Sequence, residues 1–194
     1  MSRIIAGAAG GIPLFSVPGT ATRPTTDRVK EALFSRLDAY EVIADARVLD
    51  LFAGSGSLGV ESASRGAKIV DLVESADKAA AVSRTNADLV NKALKHQTVR
   101  VHQLKVETYL DRAVPADQWD LVLMDPPYPV ENAALTGILE ILVPHLAEGA
   151  VLVLERSSRS QEPEWPVGLE RFAEKKYGET KLWFAEPSAE LPSV

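Results

Sequence analysis

From Arg47 onward the chain alternates short apolar runs with stretches of helical period, and that alternation admits few folds. Strands are predicted at 47–52, 68–74, 98–102, 119–124 and 150–155, with helices between them at 57–64, 78–94, 106–113 and 135–145. Strands separated by helices of this length pair in parallel and carry helices on both faces. Residues 171–177 and 180–185 alternate around Gly178-Glu179, as an antiparallel hairpin does. The expectation is therefore an α/β fold: a mostly parallel, seven-stranded sheet with a C-terminal antiparallel hairpin.

Upstream the texture differs. Residues 1–28 are rich in Gly, Pro and Thr, with apolar pieces at Ile4-Ile5 and Leu14-Phe15, and read as a small hairpin or arm followed by a loop. Thr25-Thr26-Asp27 then offers capping oxygens to a helix whose Val29, Leu33, Phe34 and Leu37 fall on one face. The organisation expected is an arm over 1–28, a body over 29–186 and a frayed tail over 187–194.

Composition removes several classes of chemistry. The 194 residues contain no cysteine, which excludes disulfides, thiolate metal sites and a cysteine nucleophile. The three histidines are scattered, no pair has metal-ligand spacing, and no metal is expected. No apolar run is long enough to span a membrane, and the N-terminus lacks a signal-peptide pattern, so a cytoplasmic protein is expected. A net charge of −6 argues against a uniformly basic nucleic-acid surface. Residues 1–36 nevertheless hold five basic side chains, Arg3, Arg23, Arg28, Lys30 and Arg36, against Asp27 and Glu31. A basic segment on an acidic body suits local phosphate contact.

The first strand runs into Asp50-Leu51-Phe52-Ala53-Gly54-Ser55-Gly56-Ser57-Leu58-Gly59. Gly54 and Gly56 allow a sharp turn and close approach of backbone to a ligand, and Gly59 allows a helix to pack tightly on the sheet. Dinucleotide-binding proteins use a similar spacing. Two carboxylates separate the cases. Asp50 precedes the turn, where it suits an ammonium group and disfavours a pyrophosphate. Glu74 ends the second strand, where a carboxylate can hold ribose hydroxyls. A ligand with a ribose and an amino-acid cation but no phosphates is S-adenosylmethionine.

The fourth strand delivers Asp125-Pro126-Pro127-Tyr128. An exocyclic base amine is a poor nucleophile because its lone pair is delocalised into the ring. As it attacks a methyl group, its nitrogen becomes tetrahedral and positive, and an acceptor aimed at its N–H bonds stabilises that change. Asp125 supplies a carboxylate acceptor. Pro126 and Pro127 fix the backbone and remove two donors, leaving the Pro126 carbonyl for the amine's second hydrogen. Tyr128 offers a face for base stacking, and the loop 129–132 would receive a base turned out of its stack.

These stretches resemble the class I S-adenosylmethionine-dependent methyltransferases, and more narrowly the bacterial 16S ribosomal RNA (guanine-966-N2)-methyltransferase family. The narrower resemblance is carried by Arg3-Ile4-Ile5-Ala6-Gly7, by residues 22–34 with Thr22-Arg23-Pro24-Thr25-Thr26-Asp27-Arg28, by Gly54 to Glu61, by Ser64-Arg65-Gly66-Ala67 and by Tyr177-Gly178-Glu179-Thr180. It runs in order from Arg3 to about Ala185. It implies a monomeric enzyme that methylates one guanine of small-subunit ribosomal RNA, free or in an assembly particle. It implies cofactor contacts from Asp50, Phe52, Ala53, Gly54, Gly56, Glu74, Ser75 and Asp125, with Val106 as an apolar wall for adenine. Arg3, Arg23, Arg28 and Lys30 would contact phosphate. The chain departs from the family in its first hairpin, usually basic, which here carries no charge from Ala8 to Phe15.

Three rivals remain open on sequence. A DNA or RNA adenine N6-methyltransferase shares the tetrapeptide, although DNA enzymes of this kind usually carry a separate target-recognition region. A nucleotide-dependent oxidoreductase would explain the glycines but leave Asp125 to Tyr128 idle. A non-catalytic RNA-binding assembly factor would leave Asp50, Glu74 and Asp125 without a task.

Overall fold

The computed structural model describes residues 2–19 and 25–189. Thirteen elements follow one another: α1 (Asp27–Ala39), β1 (Arg47–Leu51), α2 (Ser57–Ser64), β2 (Ile69–Val73), α3 (Asp77–Leu94), β3 (Val99–His102), α4 (Val106–Asp111), β4 (Trp119–Met124), α5 (Asn132–Leu142), a 3-10 turn at Val143–His145, β5 (Leu146–Ser157), β6 (Leu169–Tyr177) and β7 (Thr180–Pro187). They form one seven-stranded sheet in the order β3-β2-β1-β4-β5-β7-β6. The first five strands of that order run parallel, and β7 is antiparallel to both β5 and β6.

Strand periodicity sorts side chains onto two cores. Val48, Leu121 and Leu123 face one core with Leu33, Phe34 and Leu37 of α1, Val60 of α2 and Val90 of α3. Leu49, Leu51, Val122 and Met124 face the other with Val106 and Leu110 of α4 and Leu135, Ile138 and Leu139 of α5. Successive residues of β1 and β4 thus bury on opposite faces, as a strand sandwiched between helix layers must. β5 starts earlier than expected, at Leu146, because a pairing irregularity next to Gly149 (φ 76°) lets the chain join β4 at Trp119 before the regular register begins at Leu121.

The expected hairpin forms and packs onto the body. Around the antiparallel Arg3–Pro13 bridge, Ile4 N–H donates to the Ile12 carbonyl, Gly11 N–H to the Ile4 carbonyl and Leu14 N–H to the Ser2 carbonyl, and Ile4, Ala9 and Leu14 are buried in the same core as α1 and α2. Backbone donors of Ile5 and Ala6 bond the carboxylate of Glu61, and those of Ala8 and Ala9 bond the carbonyl and hydroxyl oxygens of Ser64. β7 extends through Pro187, while residues 190–194 of the expected tail lie outside the described residues.

The sheet order reverses between β1 and β4, and ligands of open α/β sheets bind at the carboxyl ends of the strands flanking such a reversal. Both the glycine-rich turn and Asp125 stand there.

Candidate active site at the carboxyl ends of β1, β2, β4 and β5

The turn after β1 is held on three sides. Ala53 N–H donates to the Val73 carbonyl, and Gly56 N–H to the Ala53 carbonyl. From α3, the Ser83 hydroxyl donates to the Gly54 carbonyl at 2.7 Å and the Asn86 amide to the Ser55 carbonyl at 2.8 Å. Gly56 is the left-handed residue (φ 81°) that opens α2. A Cβ on Gly59 would stand 2.2 Å from Leu72 Cδ2 and 3.2 Å from Asp50 Oδ2, so the helix can lie this close to the sheet only with glycine there. A Cβ on Gly54 would meet nothing within 4 Å: this glycine faces open space.

Glu74 reaches back across the turn. Its two oxygens accept from Gly54 N–H and Ala76 N–H, each at 2.9 Å. The half-buried carboxylate is thereby fixed in orientation and keeps lone pairs for a further donor. Ser75 beside it is exposed, Phe52 and Ala53 are half-buried, and Val106 is buried in the core on the α4 side.

Asp50 corrects an expectation. It is 1% exposed, and its Oδ2 accepts from Gly59 N–H at 3.0 Å. Strand alternation explains this: with Leu49 and Leu51 turned toward α4 and α5, Asp50 faces the start of α2 and lies under the turn. It does not offer the direct contact to a ligand ammonium expected of it. Burial pushes its carboxyl up to about 8, against the Gly59 hydrogen bond, with Glu74 and Glu155 adding repulsion.

Asp125 follows the last residue of β4. Burial, then Glu155 and Asp50, raise its carboxyl well above the usual range, partly offset by Arg156. Its side chain accepts no hydrogen bond among the described residues, nor does the Pro126 carbonyl. Pro126 is buried and Pro127 exposed; the Pro127 carbonyl accepts from Val130 N–H, closing a turn that leaves Tyr128 80% exposed.

Three contributors escaped the sequence reading. Glu155, 8% exposed on β5, stands beside Asp125, since β4 and β5 pair in register through Met124 and Leu154. Burial raises its carboxyl, against a hydrogen bond from Thr25. The Thr25 hydroxyl lies 3.0 and 2.9 Å from its two oxygens, while Thr26, not Thr25, caps α1. Arg156 donates to the Val130 carbonyl at 2.8 Å and so ties the loop after Tyr128 to β5. A signal was present: four neighbouring core strands each carry an acid at or beside the carboxyl end, Asp50, Glu74, Asp125 and Glu155.

Of the residues expected to contact phosphate, Arg3 and Arg28 are exposed, and Arg23 lies outside the described residues. Lys30 is a correction. It is fully buried, and its ammonium donates to the Arg3 carbonyl at 2.6 Å and the Ser2 hydroxyl at 3.3 Å, 3.7 Å from Glu61. It sits on the core face of α1 with Phe34 and Leu37 and is closed to RNA. Among the described residues no group of three His, Cys, Asp or Glu could hold a metal, and no helix is long and apolar enough to cross a membrane.

The arrangement joins a rigid glycine turn with open space above it, a strand-end carboxylate holding turn amides, and two crowded carboxylates at the next strand ends. A surplus of acceptors is relieved by a ligand bearing positive charge or many N–H groups.

Comparison with known proteins narrows the field. A family described as conserved hypothetical protein 95 matches residues 2–186. Ribosomal RNA small subunit methyltransferase D of Escherichia coli (strain K12) is 35% identical over 91% of this chain and 85% of its own length. The structure of a hypothetical protein of Thermus thermophilus superposes with a TM-score of 0.77 at 33% identity, covering 95% of this chain and 98% of that one. The rRNA methyltransferase aviRa of Streptomyces viridochromogenes shares the fold, with a TM-score of 0.67 at 18% identity over 91% and 90% of the two chains. The sheet, with its closing antiparallel strands, is the class I methyltransferase fold.

Proposed function

The chain belongs to the family described as conserved hypothetical protein 95, and from that membership and the strand-end geometry we propose that it is an S-adenosylmethionine-dependent methyltransferase acting on the N2 amine of a guanine in small-subunit ribosomal RNA. The observation that carries the chemistry is the free carboxylate of Asp125 at the end of β4, next to a Pro126 carbonyl that accepts no bond among the described residues. The relative of that name in E. coli supports the substrate class.

The residues present fit the cofactor. Gly54 leaves room above the turn, and Glu74 is fixed for ribose hydroxyls. When bound, S-adenosylmethionine supplies an electrophilic methyl group. Asp125 and the Pro126 carbonyl each accept one hydrogen of the amine and aim its nitrogen at that methyl group. As the nitrogen becomes positive, the Asp125 carboxylate, made more basic by its surroundings, takes the surplus proton. Tyr128 stacks on the ring. Arg3 and Arg28 contact phosphate outside the pocket.

The test is transfer of labelled methyl from S-adenosylmethionine to small-subunit particles lacking the modification, followed by nucleoside analysis, with Asp125→Ala alongside. Label in N2-methylguanosine, reduced about 10²- to 10³-fold in the variant while cofactor binding persists, is expected. Label in N6-methyladenosine would overturn the base assignment and keep the mechanism.

A further inference from the structure

Of the two neighbouring carboxylates at the ends of β4 and β5, Asp125 has a task in the transfer step and Glu155 has none. Parallel register carries β4 and β5 side by side through Leu123 and Val153, then Met124 and Leu154, so Asp125 and Glu155 leave the sheet abreast. Adjacent strands lie about 4.8 Å apart, within the span of one nucleobase edge. Glu155 forms no ion pair among the described residues. Its hydrogen-bond partner is the Thr25 hydroxyl, a single proton shared between two oxygens at 3.0 and 2.9 Å. A carboxylate offers about four lone-pair directions, so acceptor capacity remains.

Two neighbouring acceptors call for a molecule that presents two neighbouring donors. Three bases carry an exocyclic amine. In adenine and cytosine, the ring nitrogen beside that amine on the pairing edge is an acceptor, N1 and N3 respectively. In guanine it is a donor, N1–H. A second carboxylate next to the one holding the amine therefore bonds guanine and repels the other two. Flipped bases are read along this edge.

We propose that Glu155 is the specificity-determining residue, its carboxylate accepting the N1–H of the guanine whose N2 amine is held by Asp125. The inference rests on the guanine methyltransferase reading above. Both carboxylates are raised by burial, and Glu155 adds repulsion at Asp125; that crowding is relieved when both accept from the same base.

The test uses the full chain and reconstituted particles in which the nucleotide labelled by the wild-type enzyme is guanine or 2-aminopurine. The analogue keeps the N2 amine but has a lone pair at N1. The wild type is expected to favour guanine by about 10²-fold in kcat/KM, since a site built for a donor rejects an analogue lacking it. Glu155→Gln, whose amide can donate to N1, should compress that preference at least about tenfold, with the Kd for S-adenosylmethionine within about threefold of wild type. Thr25→Val removes the hydroxyl and leaves Glu155 in place; it should retain the guanine preference. The proposal is overturned if Glu155→Gln leaves the preference intact, or if Thr25→Val and Glu155→Gln lose it equally, which would make the pair a strut between α1 and β5. Transfer by the wild type to a base other than guanine would remove the premise itself, and with it this role for Glu155.

Discussion

The ammonium of Lys30 lies 3.7 Å from Glu61 Oε1, and neither side chain is exposed. Glu61 also accepts from Ile5 and Ala6 N–H and from Arg65, so one interior carboxylate joins the N-terminal segment, α1 and α2. Removing one member of a buried pair leaves the other uncompensated, at a cost of about 3–5 kcal/mol. Lys30→Ala is expected to lower unfolding free energy by that order in urea titrations. The salt dependence of RNA binding should keep its slope. Arg28→Ala should do the reverse, reducing the slope by about one with little change in stability. A slope change in Lys30→Ala at full stability would restore the phosphate role.

Asp50 gives the ligand-free protein a pH signature. Its folded carboxyl titrates near 8, above the unfolded value of 3.8. A group raised in this way contributes stability that is present below the unfolded value and lost as pH rises through the folded one. Stability should therefore fall between about pH 4 and 8, by roughly a few kcal/mol from this residue. Asp50→Asn keeps an acceptor for Gly59 and removes the charge. It should flatten that slope, as read from urea midpoints across the range; an unchanged slope would show that Asp50 is not its source.

Gly59 fixes the distance between α2 and the sheet. Its added Cβ would stand 2.2 Å from Leu72 Cδ2. Gly59→Ala is expected to cost about 1–3 kcal/mol through overpacking. Because α2 begins at the turn, cofactor affinity should fall with it. Thermal melting and equilibrium cofactor binding measured together check both effects.

Tyr128 makes its contribution only when a base is present, being 80% exposed without one. Stacking on an aromatic side chain contributes about 1–3 kcal/mol. Tyr128→Ala should thus weaken RNA substrate about 10-fold or more and leave unfolding free energy within about 0.5 kcal/mol. Tyr128→Phe should be near wild type. Equal loss in both variants would assign the effect to the hydroxyl instead.

The alternation after Arg47 made the sheet legible because period-2 and period-3.6 patterns are set by burial on two faces, and the whole sheet formed as that pattern implies. Asp125 was legible because two prolines and a tyrosine follow it. Glu155 was not, because Arg156-Ser157 after it resembles any strand end and its meaning comes from the neighbouring strand. Lys30 was misread although its spacing to Phe34 and Leu37 placed it on the core face; the expectation that lysine stays in solvent outweighed the helical phase. The burial of Asp50 follows from the alternation of Leu49 and Leu51, but that it lies beneath the turn depends on α2 packing close to the sheet over Gly59.

The bonds from Ile5, Ala6 and Ala9 to Glu61 and Ser64 span 55 or 56 residues. During translation at about 5–20 residues per second, the first of these segments waits roughly 3–11 s for its partner to be made. Ile4, Ala9 and Leu14 spend that interval without the α2 part of their core. The turn that carries Ile5 to Ala9 is thus made before the helix that satisfies its donors, and its burial is complete only once α2 has left the ribosome.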